Sequence, residues 1–590
     1  MTNQANNKKE LEIPSTRAER FAQFFERQRL RMAHIEALPQ LSLIGILCGL
    51  LSGAVIIVFR ILIENGQGLL LPYGSEEAYE SLPVIFRILF PVSGGLIIGV
   101  VLQLTPSSMH QVGVVHVIER LSYYQGHLPF RNAVMQFFGA ALSIVSGHSV
   151  GREGPGIHLG AWAGSSLGRL MGLPNNSVRI LVGCGVAAAI AAGFNTPLAG
   201  VIFAMEVVLM EYTIIGFTPI ILAAVSATTL TRAVFGADPA FFVPPLEWSS
   251  IAELPYVLLM GIVIGILAAL FIQMLLWTTR ALAIYPIWVR TGMAGLLIGI
   301  LAAAVPEIMG VGYDTVNASL LGEIALGTLV LIVCAKLIAT TVGLGLGLPG
   351  GLIGPTLVIG ASAGGVMGLM ATIWFGNLSS HGFYAMLGMG AMMGATLQAP
   401  LAALIAMLEL TANPNIILPG MIAVVSAGLV ARVLFGKTSV YRMLMQARGL
   451  DYRNDPVAQA LRRIGVASVM ERHIVRHPRL IKRAAAESVL KQEPHWIVVR
   501  DEGQATALLP AADLARYLSD NEDENIDLLA IPALRKDLSG ITVLATLQEA
   551  EDMLLKTGTE ALYVTGARGA GKSKIYGILT HAEIEKAYRS

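Results

Sequence analysis

The chain has 590 residues, of which 54% are apolar and only 14% are charged, and its mean hydropathy is +0.65. Soluble domains carry about 25% charged residues, so this composition excludes a soluble globular enzyme, a disordered chain and a disulfide scaffold. The formal net charge of +1 gives no electrostatic basis for binding nucleic acid through a basic face.

Charged residues are concentrated at the two ends of the chain. They are dense in residues 1–37 and again after about residue 440, and they are scarce in between. The first long apolar run begins near residue 41, behind a polar amphipathic segment, so we expect no secretory signal and a cytoplasmic N-terminal segment over residues 1–40. The three cysteines all lie in apolar runs and are predicted to be buried thiols, which offer no metal site: Cys48, Cys184 and Cys334.

Apolar segments recur along the chain from residue 41. Several are about 20 residues long, enough to cross a bilayer as a helix, whereas those within 146–211 and 343–410 are short and interrupted by Gly and Pro. Interrupted segments predict broken helices whose free backbone groups are satisfied by protein or by a polar cavity. In chain order, the segments are 41–64, 83–105, 132–147, 157–172, 178–193, 197–211, 214–234, 253–279, 287–305, 319–342, 351–375, 383–397, 399–410 and 414–435.

An internal repeat relates the two interrupted regions. GREGP at 151–155 matches GLIGP at 351–355 with an offset of 200 residues, and PLAGVIFAME at 197–206 matches PLAALIAMLE at 400–409 with an offset of 203. Paired interrupted segments in corresponding halves point to a transport site at the interface between the repeats.

After Gly436 the composition becomes that of a soluble domain. A charged linker over 446–465 leads into residues 466–590, where strand-like runs at 496–500, 507–510, 561–566 and 574–580 alternate with helical patterns and predict an α/β domain of two similar halves. The segment 566–573 fits the phosphate-binding pattern G-x-x-x-x-G-K-[ST], but a strand-like run follows it where that pattern requires a helix. We interpret it as a glycine-rich hairpin.

The segment from Gly147 to Gly160, GHSVGREGPGIHLG, carries the densest chemical pattern. Arg152 and Glu153 stand within an apolar region, where ionisable groups usually mark a transport pathway. The flanking glycines allow a ligand to approach the backbone, and Pro155 suits the first turn of a helix, whose free N–H groups would bind an anion. The structural alternative is a local Arg152–Glu153 pair at the membrane surface.

Four motifs resemble the CLC family of chloride channels and chloride/proton antiporters. The resemblance covers about residues 40 to 445, and the tail is similar to the paired CBS modules of many members. The motifs are GREGP at 151–155, GFNTPLAGVIFAMEVV at 193–208, GGLIGP at 350–355 and Tyr441 in GKTSVYRML.

The resemblance implies an all-α polytopic membrane domain over 41–445, made of two inverted repeats (about 41–236 and 250–445) with many tilted and broken helices, and a cytoplasmic α/β tandem CBS domain. It also implies a homodimer in the cell (inner) membrane with chloride as the transported ion and both termini cytoplasmic. Glu153 would be the gating glutamate. The chloride-binding groups would be the Tyr441 hydroxyl and the backbone amides of Arg152, Glu153, Gly154, Leu352 and Ile353.

Two departures from the family pattern bear on mechanism. Val112 stands where the family's GSGIP motif has a serine, so the central anion site would depend on backbone groups and Tyr441. Val207 stands where antiporters have a second, proton-carrying glutamate, which leaves Glu206 as the nearby candidate for a proton relay, or alternatively as a buried hydrogen-bonded residue with Glu409 as its counterpart.

The first departure bears on selectivity for chloride over other anions, and the second favours a chloride channel over a chloride/proton antiporter. A third hypothesis is a membrane-anchored sensor whose CBS pair binds an adenine nucleotide. For that pair the sequence offers half-matched contacts at Pro510 with Asp513 and at Thr580 with Glu583, and a purely structural role is an equal alternative. His148 and His158 flank the glutamate loop without the companion ligands of a metal site, and neither a metal site nor enzyme activity is expected.

Overall fold

A computed structural model describes most of the chain, in two compact units. The larger unit contains residues 41–170 and 178–453, and the smaller unit contains residues 454–590 together with 171–177 and the described residues up to 40. The N-terminal segment up to residue 37 and the glycine-rich motif beyond Gly566 fall outside the described residues. Those described are 38–71, 78–237, 241–244, 246, 248–376, 379–450, 456–501, 503–566 and 575–589.

The described part of the larger unit contains seventeen α-helices, most of which coincide with the predicted apolar segments. Short helices such as α7 and α15 begin with a proline, whose fixed φ suits a first helical residue. The helices are α1 (Leu38–Leu70), α2 (Val84–Leu104), α3 (Gly113–Tyr123), α4 (Phe130–Val145), α5 (Glu153–Leu170), α6 (Asn175–Phe194), α7 (Pro197–Phe203), α8 (Ile214–Phe235), α9 (Leu254–Ala281), α10 (Ile287–Ala304), α11 (Tyr313–Leu321), α12 (Leu326–Gly345), α13 (Ile353–Phe375), α14 (His381–Leu397), α15 (Pro400–Thr411), α16 (Ile417–Leu429) and α17 (Val440–Ala447).

Among the described residues, nine helices are long and apolar enough to cross a membrane. Helix α1 has 33 residues, which at 1.5 Å per residue is about 50 Å, so it must tilt to fit a hydrocarbon core of about 30 Å. Large apolar side chains cover the outside of the unit, with Leu43 64% and Leu104 81% exposed. Such a surface is stable against lipid rather than water, so the unit spans the membrane.

One cysteine prediction is wrong. Cys48 and Cys184 are buried as expected, but Cys334 is exposed, because it lies on a face of α12 that is not covered by the residues that the structure describes. An apolar run therefore predicts a membrane-embedded thiol correctly without distinguishing the protein interior from the lipid-facing surface.

The internal repeat extends to helix packing. A Cβ atom on Gly160 of α5 would lie 2.2 Å from the carbonyl oxygen of Gly185 on α6, and one on Gly360 of α13 would lie 2.6 Å from that of Gly388 on α14. Only glycine permits such close approach of two helices. The two pairs are related by the same offsets of 200 and 203 residues as the sequence motifs.

The smaller unit is an α/β domain of two halves with the same strand pattern. In the first half β1 is parallel to β3 and β3 is antiparallel to β4; in the second half β6 is parallel to β7 and β7 is antiparallel to β8. The six-stranded order is β1-β3-β4-β6-β7-β8, and β2 pairs with β5. The strands are β1 (Ile474–Pro478), β2 (Leu480–Lys482), β3 (Trp496–Asp501), β4 (Gln504–Pro510), β5 (Asn525–Asp527), β6 (Lys536–Thr542), β7 (Ala561–Thr565) and β8 (Ile575–Thr580).

The helices of this unit follow the strands. Each half ends in a helix, α21 after β4 and α23 after β8, and each has its own apolar core. The chain after the glycine-rich motif continues as strand β8 rather than as a helix, which confirms that the motif lacks the context of a phosphate-binding loop. The helices are α18 (Pro456–Arg463), α19 (Val466–Val469), α20 (Arg483–Leu490), α21 (Ala511–Asp520), α22 (Leu547–Thr557) and α23 (His581–Arg589).

Candidate anion site

The glycine loops at 151–155 and 351–355, one from each repeat, are hydrogen-bonded to each other through their backbones. The N–H of Gly151 donates to the carbonyl of Gly351 over 2.7 Å, and the N–H of Gly351 donates to the carbonyl of Gly151 over 2.8 Å. A Cβ atom on Gly154 would lie 2.7 Å from the Cα of Gly351, so the approach requires glycine. Helices α5 and α13 start two residues after this bridge, which brings their N-termini together.

The carboxylate of Glu153 lies at the N-terminus of the helix from the other repeat. Glu153 is buried, and its Oε2 accepts a hydrogen bond of 3.0 Å from the N–H of Gly354 in the first turn of α13. Its Oε1 accepts a hydrogen bond from the Tyr313 hydroxyl. The unpaired N–H groups of a first turn and the helix dipole favour an anion here, so the carboxylate occupies a position that a free anion would otherwise take.

On one side of Glu153 lies an aromatic cluster with a small cavity. The Tyr313 ring packs edge-on against Phe241 at a centroid distance of 4.7 Å. The guanidinium carbon of Arg152 lies 4.8 Å from the centre of the Tyr313 ring. A cavity of about 30 Å³ borders Arg152, Glu153 and Tyr313. Glu153 is thus held by an aromatic residue whose ring Arg152 covers.

On another side lies a larger cavity, of about 180 Å³, lined by Gly154, Gly351, Leu352 and Tyr441 together with the start of α3. Tyr441 is buried, and its hydroxyl has no hydrogen-bond partner among the described residues. The cavity is bordered by the cationic side chains Arg290 and Arg448. Its volume exceeds the roughly 30 Å³ that one water occupies in the liquid, and its lining combines positive charge, an unpartnered donor and helix N-termini, all suited to an anion.

Comparison with known proteins identifies the family. A sequence model of the family described as voltage gated chloride channel matches residues 94–432, more than half of the chain. The chain belongs to this CLC family. The resemblance of the four motifs is thereby confirmed, and because members of the family are channels and transporters, this CLC protein is not an enzyme.

Similar CLC proteins carry both channel and exchanger names. The chain is 32% identical over 393 residues to a putative chloride channel protein ClcB-like of Ralstonia nicotianae, covering 65% of this chain and 91% of that one. It is also 32% identical over 324 residues to an H(+)/Cl(-) exchange transporter ClcA of Vibrio cholerae, covering 53% of this chain and 68% of that one.

Two solved structures share the fold. A slow cyanobacterial Cl−/H+ antiporter matches with a TM-score of 0.62 at 23% identity, covering 71% of this chain and 99% of that one. A eukaryotic CLC transporter matches with a TM-score of 0.58 at 18% identity, covering 92% of this chain and 98% of that one. At these identities the likeness establishes the architecture alone.

The structure brings most of the predicted chloride-binding residues of this CLC protein together. Glu153, Gly154, Leu352 and Tyr441 border the two cavities described above, whereas Ile353 lines a separate apolar cavity of about 30 Å³. Their contact with chloride stays a prediction.

The sequence analysis missed Tyr313 and Gly354, the two groups that hydrogen-bond Glu153. Gly354 was recoverable as the counterpart of Gly154 in the repeat, but Tyr313 stands 160 residues from Glu153 and has no motif that would reveal the contact.

Glu206 and Glu409 cap each other's helices across the two repeats. Glu206 accepts hydrogen bonds from the N–H groups of Leu401 (3.2 Å) and Ala402 (2.7 Å) in the first turn of α15. Glu409 does the same for Leu198 (2.9 Å) and Ala199 (2.7 Å) in α7. Both oxygens of Glu206 are therefore engaged as a helix cap, which favours the structural alternative over a proton relay.

Three histidines near the loops are buried and hydrogen-bonded. His158 Nε2 lies 2.9 Å from His116 Nδ1, and His148 Nδ1 lies 2.9 Å from the Ser146 hydroxyl. His158 is thus part of a buried, hydrogen-bonded pair between α3 and α5.

Proposed function

We propose that this CLC protein exchanges chloride for protons across the membrane, with Glu153 as the group that both competes with chloride and takes up the proton. The observation that carries the proposal is the Glu153 carboxylate hydrogen-bonded to the first turn of α13, beside a cavity suited to an anion. Relatives named as H(+)/Cl(-) exchange transporters support exchange at least as well as channel activity.

The exchange follows from elementary electrostatics. A carboxylate and a chloride ion cannot occupy one set of N–H donors together, since two like charges at contact distance repel strongly in a low-dielectric interior. Protonation removes the negative charge of Glu153, weakens its hold on the Gly354 N–H and frees that donor for chloride. Chloride arriving from the 180 Å³ cavity competes with the ionised carboxylate for the same N–H donor and displaces it.

The 180 Å³ cavity lacks the serine hydroxyl of the family motif. Val112 immediately precedes α3 and its side chain has no hydroxyl, so we expect chloride there to be bound by helix N–H groups and the Tyr441 hydroxyl, near the cationic Arg290 and Arg448. We expect weaker discrimination among monovalent anions than in a site with an additional serine hydroxyl, because fewer directional donors define the geometry.

A chloride channel is the second candidate, and Val207 favours it. This residue is buried and apolar at the position where antiporters carry a second glutamate, and the neighbouring Glu206 is engaged by two backbone amides. Exchange without that glutamate requires protons to reach Glu153 by another route.

Proton recording in liposomes separates the two candidates. Purified protein is reconstituted with high internal chloride and diluted into low chloride with the membrane potential clamped, and external pH is followed. Exchange predicts proton movement against its gradient in a fixed ratio to chloride; passive chloride flux alone would support the channel and reject exchange. Glu153→Gln should abolish proton movement, whereas Glu323→Gln, at an exposed glutamate of the same unit, should preserve it.

We further propose the assembly that the family resemblance implies: a homodimer in the inner membrane with both termini cytoplasmic. In this proposal the membrane domain spans 41–445, with repeats at about 41–236 and 250–445, and the linker 446–465 leads to a CBS pair at 466–590. The repeated strand pattern of the two tail halves supports a CBS pair. Binding of an adenine nucleotide stays a prediction. The two carboxylates that would contact it already accept hydrogen bonds within the protein, Glu583 from Thr580 and Asp513 from the backbone N–H of Leu534.

A further inference from the structure

Two histidines and one glutamate meet at the edge of the tail sheet. His473 and His495 directly precede β1 and β3, which are parallel and pair Ile474 with Trp496. The N–H of His495 donates to the carbonyl of His473 over 3.0 Å, so the ladder continues through the two histidines. Directly paired residues on neighbouring strands point to the same face, and the two imidazole rings lie 5.5 Å apart.

Glu471 completes the cluster with one oxygen towards each ring. Its Oε1 lies 3.1 Å from His473 Nδ1, and its Oε2 lies 3.3 Å from His495 Nδ1. The backbone of Glu471 is fixed by two hydrogen bonds with Ile578 of β8, of 2.9 and 3.0 Å. Its carboxylate also accepts a hydrogen bond of 2.7 Å from the backbone N–H of His473. The three side chains are therefore carried by paired backbone rather than by a free loop.

The geometry points to a site for a transition-metal dication, which we propose to be Zn²⁺, bound by Glu471, His473 and His495. One donor atom from each residue lies within 4.8 Å of the others. A tetrahedral ion with bonds of about 2.1 Å needs donor atoms about 3.4 Å apart, a separation that small side-chain rotations reach. Two imidazoles and a carboxylate form a donor set that Zn²⁺ uses with a water in the fourth position.

Exposure and ligand type decide which ions fit. The side chains of His473 and His495 are 74% and 65% exposed, which leaves an entry path and a water-accessible fourth position, while Glu471 is 23% exposed. Mg²⁺ and Ca²⁺ prefer oxygen ligands, so two imidazoles select against them. A bound ion would link the first half of the tail, through β1 and β3, to the second half, through the Glu471–Ile578 pairing.

Zinc titration of the full-length protein tests the site. The protein, freed of any polyhistidine tag and dialysed against a chelator, is titrated with ZnCl₂ in detergent at pH 7.5 with excess Mg²⁺ present, and with CoCl₂ for absorption spectroscopy. We expect one Zn²⁺ per chain, and the intense visible bands of four-coordinate Co²⁺. No stoichiometric binding at micromolar Zn²⁺ would overturn the proposal.

Matched variants assign the ligands. His473→Ala combined with His495→Ala should remove the binding event and the Co²⁺ bands, whereas His581→Ala, at an exposed histidine of α23, should preserve both. Glu471→Gln keeps the shape of the side chain and should lower Zn²⁺ affinity at least about 10-fold, a test that survives if the double variant misfolds. Unchanged binding in these ligand variants would mean adventitious zinc and overturn the assignment. Proton or chloride flux does not enter the readout, so the result is independent of the exchange proposal.

Discussion

Removing the Tyr313 hydroxyl should strengthen chloride binding. This hydroxyl donates to the Glu153 carboxylate, which competes with chloride for the N–H of Gly354. A hydrogen bond to a charged group contributes about 1.5–3 kcal/mol, so Tyr313→Phe should reduce the occupancy of the carboxylate position by about 10- to 150-fold relative to the displaced state. The ring packing against Phe241 is retained, because phenylalanine preserves the aromatic ring.

The measurable result is a higher apparent chloride affinity. If the carboxylate fills the site almost completely in the unaltered protein, the apparent chloride affinity of Tyr313→Phe rises by up to the same factor of about 10 to 150, because chloride then displaces a less stable competitor. Chloride binding to the detergent-solubilised variant by calorimetry at constant pH gives the dissociation constant directly, and the chloride concentration for half-maximal flux in liposomes gives an independent value.

The control is a tyrosine hydroxyl remote from Glu153. Tyr256 donates to the carbonyl of Met367 over 2.6 Å, so Tyr256→Phe removes one buried hydrogen bond without changing the competitor. We expect its chloride affinity to match that of the unaltered protein. An unchanged or weaker affinity in Tyr313→Phe would refute the argument that Tyr313 stabilises the carboxylate in the anion position.

Four other substitutions test separate parts of the site. Tyr441→Phe should weaken chloride binding about 10-fold or more, measured by the same calorimetry, because a buried hydroxyl that could donate to the ion is lost. Gly351→Ala should prevent assembly of the membrane domain and so abolish chloride flux, because its Cβ would lie 2.6 Å from the backbone nitrogen of Gly154 in the facing loop. In the control variant Gly327→Ala the new Cβ has nothing within 4 Å, so assembly and flux should be unchanged. Glu206→Gln and Glu409→Gln should each lower the free energy of unfolding by a similar amount, about 1–2 kcal/mol, because each weakens a helix cap, and proton coupling should be retained. Loss of proton coupling in Glu206→Gln alone would support Glu206 as a proton relay.

The sequence predicts the membrane architecture well because the physical cause acts locally. A lipid-spanning helix needs an uninterrupted apolar run, and the predicted runs recover the nine long helices. The shorter amphipathic helices α3 and α11 were not predicted, since their stability comes from packing in the interior rather than from their own composition.

The sequence predicts the parts of the site that the internal repeat reveals, but not the contacts between residues far apart in the chain. Glycine and proline at matched offsets identify the two loops, and an isolated acidic residue identifies Glu153. Tyr313 and the zinc cluster of Glu471, His473 and His495 depend on pairing between distant segments. Strands β1 and β6 were missed for a similar reason, because IVRHP and KDLSGIT carry polar residues that only their neighbours in the sheet accommodate.

The Gly151–Gly351 bridge determines which part of the anion site is able to move. Each loop supplies the donor and the acceptor that the other needs, so a shift of either backbone would break two hydrogen bonds and leave four buried polar groups unpaired, at a cost of several kcal/mol. In the proposed exchange, the hydrogen-bonded loops would therefore keep their main-chain positions, and the moving part would be the Glu153 side chain, by rotation about its own torsions.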